Sequence, residues 1–112
     1  MRKNLEQLID ELNLQVMDLC KSFCGHDELK NQLYRSSMSI GANKAEAKYA
    51  ESSADFVHKM SIALKECSET KYWLKQLYNI IVGKDKEITK AINKCGSIER
   101  KLIESIRTAQ KP

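Results

Sequence analysis

Between Leu29 and Tyr49 lies a stretch that reads as a helix no single neighbour can satisfy, and it limits the possible folds more than any other feature. Leu29, Leu33, Ser36, Ile40, Asn43 and Ala47 recur at steps of four and three, which places them on one face of a 3.6-residue helix. On the opposite side Tyr34, Met38, Ala45 and Tyr49 form a second, looser apolar face, where an ordinary surface helix carries charge. Those four residues are candidate contacts with a second copy of the chain. Between the faces runs a polar seam of Gln32, Arg35, Ser39 and Glu46, with Asn43 at its edge. The pattern predicts an all-α, self-associating domain, and by itself it names no activity.

Three further amphipathic segments surround this one. The first, about residues 3–23, puts Leu5, Leu8, Ile9, Leu12, Val16, Leu19 and Phe23 on one face. Gly25 can supply the left-handed residue that ends it, and Asp27 can cap the second helix, expected over residues 28–49. Ser52 and Asp55 have the spacing of a capping box for a third helix over 53–82, striped by Phe56, Met60, Ala63, Cys67, Thr70, Leu74, Leu77, Tyr78 and Ile81. Gly83 and Asp85 repeat the stop and start before a fourth helix over 86–109, striped by Ile88, Ala91, Ile92, Cys95, Ile98, Leu102 and Ile106. Short turns make successive helices antiparallel, so the expected architecture is an up-down-up-down four-helix bundle in one domain over residues 1–112.

Composition serves mainly to exclude. A single Pro, four Gly and 42% hydrophobic residues describe a folded chain rather than a disordered one. No apolar run approaches the roughly 20 residues that span a bilayer, and the amphipathic, acidic start is unlike a secretory signal. A cytoplasmic location with no membrane partner is therefore expected, and in that setting Cys67, Cys95 and Cys20 read as small buried hydrophobes. Cys20, Cys24 and His26 lack both a Cys-x-x-Cys pair and a fourth ligand, so no metal and no cofactor is expected.

Charge is more informative. Residues 84–112 hold 8 basic and 4 acidic residues, which carry the whole net charge of +4. Lys86, Lys90, Lys94 and Lys101 line one face of the last helix. On the third helix Glu66 and Glu69 share a flank with Ile62, Trp73 and Ile80, where an unpaired carboxylate is costly. Arg35 is the expected partner, Glu69 before Glu66. Glu99 falls inside the apolar stripe of the fourth helix, and no partner for it is evident in the sequence.

The segment Gln32-Leu-Tyr-Arg-Ser-Ser-Met-Ser-Ile-Gly-Ala-Asn-Lys-Ala-Glu46, followed by Asp55-Phe-Val-His-Lys-Met-Ser-Ile-Ala-Leu-Lys-Glu-Cys-Ser-Glu-Thr-Lys-Tyr-Trp-Leu74, resembles the bacterial four-helix-bundle proteins encoded in intervening sequences of 23S ribosomal RNA genes. Arg35, Ser39, Asn43, Glu46 and Glu69 match that family's pattern. Gly41 stands for its usual Pro, Tyr34 for the first of two arginines, Lys44 for an apolar residue and Ala47 for Gly. With Gly41 in place of Pro, a bend in the second helix would come from Gly flexibility. The resemblance implies a closed homo-oligomer, a ring-shaped pentamer, without enzymatic activity and with RNA or DNA as the suggested ligand.

Two functions follow as expectations. In the first, the lysine face repeats around a ring and binds structured RNA or DNA through phosphates, since 6% aromatic residues leave little for base stacking. In the second, the ring is an adaptor for another protein through Tyr34, Met38, Tyr49 and Tyr72. Catalysis ranks behind both: His26 and His58 are isolated, there is no nucleophile elbow or phosphate-binding glycine loop, and Arg35, Glu66 and Glu69 fit an ion network better than an acid and base pair.

Overall fold

The computed structural model describes residues 2–112 and contains four helices: α1 (Leu5–Lys21), α2 (Asp27–Ala47), α3 (Ser53–Ile80) and α4 (Asp85–Gln110). Each packs against its two neighbours around a ring, α1 on α2, α2 on α3, α3 on α4 and α4 on α1, and the diagonal pairs make no close backbone approach. With turns of four or five residues between them, the helices form an all-α, antiparallel bundle.

The apolar stripes meet along its axis. Leu12, Leu33, Ile40, Leu74, Leu77, Ile88, Ile98 and Leu102 are closed to solvent, each contributing about 2–3 kcal/mol of transfer free energy. Small residues let α3 and α4 approach closely: Ala63, Cys67, Ala91 and Cys95 are all fully buried, and the Cys67 thiol donates to the Cys95 carbonyl at 3.4 Å. One polar layer interrupts the core. Thr70 Oγ1 lies 2.9 Å from Ser36 Oγ and 2.8 Å from the Glu66 carbonyl, and Ser37 donates to Asn13 Oδ1 at 2.6 Å.

Every groove between neighbours is crossed by an ion pair. Lys44–Glu6 joins α2 to α1 at 2.7 Å, Lys94–Glu11 joins α4 to α1 at 2.6 Å, and Lys71–Glu99 joins α3 to α4 at 2.6 Å. Arg35 of α2 meets Glu66 and Glu69 of α3, and Lys59 of α3 lies 3.9 Å from Glu46 of α2.

Helix ends depart from the sequence expectation for local reasons. Asn4 caps α1 through a reciprocal box with Gln7, so the helix starts at Leu5 rather than near Lys3. Ser22 stops it by bonding back to the Leu19 carbonyl, three residues before the left-handed pair Gly25 and His26, at φ +83° and +56°. Asp27 is therefore the first residue of α2 and not its cap, and it complements the positive end of the helix dipole instead. Ser52 accepts from the Asp55 amide as expected, but the Asp55 carboxylate turns back to Glu51 rather than to Ser52. α2 ends at Ala47, short of Tyr49, because Lys48, Tyr49 and Ala50 all bond three residues back, tightening the last turn. α3 ends at Ile80, since Ile81 is extended and Gly83 takes φ +87°. Tyr78, placed in the α3 stripe by its spacing, is exposed near this end.

Gly41 lies within unbroken α2 and serves close approach: a Cβ there would come within 3.2 Å of Ile9 Cγ2 on α1. Among the described residues no helix is long and apolar enough to cross a membrane.

Candidate functional site

The alignment of α1 against α4 creates a long polar groove. Its middle is lined by Lys3, Glu11, Gln15, Lys90, Asn93, Lys94 and Ser97, and it continues into a stretch lined by Arg2, Lys3, Leu8, Ser97, Arg100, Lys101 and Glu104. The spacing that puts Lys90, Lys94, Ser97 and Lys101 on one flank of α4 turns that flank towards α1. No aromatic side chain lines either stretch.

Three of the four lysines singled out on α4 are free of ion pairs among the described residues: Lys86, Lys90 and Lys101. Lys94 differs. Its stem is largely buried and its ammonium donates to Glu11 Oε1 at 2.6 Å, while Lys3 reaches Glu11 Oε2 at 2.6 Å. Hydrogen bonds from Lys3 and then Lys94 hold the Glu11 carboxyl below the usual carboxylate range. Lys94 thus differs from the other three lysines in being engaged by a carboxylate of α1. Arg2, Lys3 and Arg100 are groove cations that sequence reasoning passed over. Arg100 lies three residues from Ser97, whose hydroxyl accepts from its guanidinium at 3.2 Å. Arg2 and Lys3 precede α1, and their place beside α4 depends on how α1 packs against it.

On the α2/α3 side, Arg35 bridges both expected carboxylates, with Glu66 Oε2 3.2 Å from Nη1 and Glu69 Oε1 against Nη2. Trp73 adds its indole N–H to Glu69 Oε1 at 3.4 Å. The Arg35 side chain is 50% exposed, so this cluster is half wet and not the buried pair that its apolar neighbours suggested. Ser39 donates to the Arg35 carbonyl, Asn43 to the Ser39 carbonyl, and Glu46 faces Lys59, so these seam residues are occupied locally. Glu99, without a partner in the sequence reading, is paired by Lys71.

The outward face of α2 divides. Tyr34 is half-buried against the core, where burial first and then the Cys20 thiol push its phenol up from its ordinary range. Ala45 and Tyr49 line a cleft between α1 and α2 with Ile9, Asp10 and Gly41, and Tyr49 is 80% exposed just beyond the helix end. Met38 is 56% exposed on α2, and Leu14 and Met17 are exposed on α1, two apolar residues that the sequence reading did not single out. Cys20 is buried, Cys24 exposed, and no group of three or more potential ligands is gathered for a metal among the described residues.

Residues 4–104 match the model of a family described as 23S rRNA-intervening sequence protein. Among solved structures, the chain is similar to a protein of unknown function from the S23 ribosomal protein family of Bacteroides thetaiotaomicron, with 33% identity and a TM-score of 0.83 over 93% of this chain and 99% of that one. No curated protein matches the chain.

Proposed function

The chain belongs to the family of 23S rRNA-intervening sequence proteins, and from that premise we propose that it is a noncatalytic, self-associating bundle that binds the backbone of structured RNA or DNA along the α1/α4 groove. The observation that carries this reading is the set of groove cations without carboxylate partners among the described residues, Lys90, Arg100 and Lys101 on α4 with Arg2 beside them, and Lys86 likewise unpaired further along α4. A groove rich in ammonium and guanidinium groups and free of aromatic rings suits phosphates rather than bases.

Self-association is supported by Leu14 and Met17 on α1, Met38 on α2 and Tyr49 just beyond the end of α2, apolar side chains that are all exposed. A closed ring, a pentamer in this reading, would cover them and repeat the basic groove at each subunit, raising the local phosphate affinity.

Fluorescence anisotropy of a labelled, structured RNA tests the proposal, with Lys90→Glu/Lys101→Glu as the altered groove. Affinity should fall steeply between low and raised salt, and the double variant should weaken binding roughly tenfold or more. Absence of binding at low salt would overturn the nucleic-acid reading. Light scattering separately checks the assembly, a mass near five times the 12.8 kDa chain being expected.

A further inference from the structure

Glu11 sits between two ammonium groups that approach different oxygens, Lys94 at Oε1 and Lys3 at Oε2, both at 2.6 Å. This arrangement grips a singly charged anion by two oxygens. A phosphodiester offers the same charge and the same pair of oxygens. Two cations against one carboxylate leave the spot with a net positive charge, so Glu11 does not exhaust its attraction for anions.

The two lysines differ in how they are held. The Lys94 stem packs into the α1/α4 groove and is only 18% exposed, so its ammonium has a fixed position. Lys3 precedes the Asn4 cap, outside the helix, and is more than half exposed. Neither ammonium has another carboxylate partner among the described residues. Groups able to donate flank the spot: Lys90, Asn93 and Ser97 line the same groove. The groove is thus built for polar contact beyond what Glu11 provides.

We propose that Lys3 and Lys94 form a phosphodiester clamp which Glu11 occupies in the free protein and yields to the nucleic-acid backbone on binding. The inference rests on the nucleic-acid reading of the groove and adds to it a specific subsite and an internal competitor. Binding exchanges one anion for another at the same two ammoniums, so Glu11 lowers affinity for every polyanion and sets a threshold against weak, transient contacts.

The test is an anisotropy titration of a fluorescein-labelled RNA hairpin over a series of KCl concentrations. It compares the wild-type chain with Glu11→Gln, Glu104→Gln and Glu11→Gln/Lys94→Gln. Glu104 lines the same groove and forms no ion pair among the described residues, so its neutralisation changes the net charge equally without freeing a lysine. Glu11→Gln should bind roughly three- to tenfold more tightly than Glu104→Gln, with a log K against log salt slope steeper by about one to two. In the double variant the gain should disappear. Glu11→Asp, which keeps the charge but shortens the reach, provides a second variant and should also bind more tightly than wild type. If Glu11→Gln and Glu104→Gln gain equally with the same slope, or the gain survives loss of Lys94, the clamp is wrong while backbone binding stands. If none of the proteins binds at the lowest salt, both readings fall.

Discussion

Lys71 on α3 closes on Glu99 of α4 at 2.6 Å, across the same helix pair in which the Cys67 thiol meets the Cys95 carbonyl. The hydrogen bond to Glu99 raises the Lys71 ammonium above the ordinary lysine range. A raised cation stabilises the fold fully below its unfolded pKa and loses that contribution as pH rises through the folded value, here above about 10.5. Lys71→Met should destabilise by about 1–2 kcal/mol in denaturant titration at neutral pH, since Glu99 is left partly buried and alone, and its melting temperature should fall less steeply in strong alkali. Replacing both residues by Met and Leu should restore most of the loss.

The Ser36 and Thr70 hydroxyls stand 2.9 Å apart in the closed core between α2 and α3. Thr70→Val should cost about 1–2 kcal/mol because Ser36 loses a partner in a dry site. Ser36→Ala/Thr70→Val should be less destabilising than the sum of the two single changes. A double-mutant cycle in urea reads the coupling directly, and strict additivity would mean the hydroxyls do not interact.

Arg35→Ala removes the cation that holds Glu66 and Glu69 together. A fully buried pair would cost about 3–5 kcal/mol, but a half-exposed guanidinium is screened by water, and a loss of about 1 kcal/mol is expected. Much of that loss should be recovered by Arg35→Ala/Glu69→Gln, which removes one of the two repelling carboxylates.

Glycine substitutions separate two uses of that residue. Gly83→Ala should destabilise by about 1 kcal/mol because φ +87° is strained for any side chain. Gly41→Ala should be neutral within about 0.5 kcal/mol, the helix propensity of Ala offsetting a 3.2 Å contact with the Ile9 methyl. Gly41→Val should cost about 1–3 kcal/mol as α1 is pushed away. Thermal melts order the three.

Acid should weaken the α1 grooves first. Glu11 and Glu6 are both held below the usual carboxylate range, Glu11 by hydrogen bonds from Lys3 and Lys94, Glu6 by the one from Lys44. Depressed carboxylates contribute stability above their unfolded pKa and lose it as pH falls through the folded value, below about 4.5. Glu6→Gln/Glu11→Gln should therefore show a smaller fall in melting temperature between neutral pH and pH 3 than wild type does.

The helix stripes were readable because burial repeats: Leu12, Val16 and Leu19, or Ile88, Ala91, Cys95, Ile98 and Leu102, recur at three and four and are all buried. A stripe count does not say where the buried arc of a helix stops, which is why Tyr78 was placed inside and is found outside, although Leu77 and Ile81 on either side of it face the core. Nor does it give cross-helix register. Glu99 could not be matched to Lys71, nor Lys94 to Glu11, since both pairings depend on which residues stand level across a groove. Tyr34, placed on the second apolar face of α2 by its angle on the wheel, is half-buried against the core. Of the proposed groove, the α4 lysines were visible as one face. The opposing wall, with Glu11, Gln15 and Lys3, needed the packing of α1.

The ion pairs that cross all four grooves also bear on the mirror topology. An up-down-up-down bundle can be wound with its second helix to the left or to the right of the first, and the apolar stripes alone fit either arrangement nearly as well. In the opposite winding the flank of α1 that carries Glu6 and Asn13 would face α4, and Glu11 would face α2. Lys44, Ser37 and Lys94 would each lose a partner at once. The handedness of the fold is thus written in the polar flanks of its helices, where an exchange of signs between Glu11 and Lys94 would keep it and a neutral flank would leave it open.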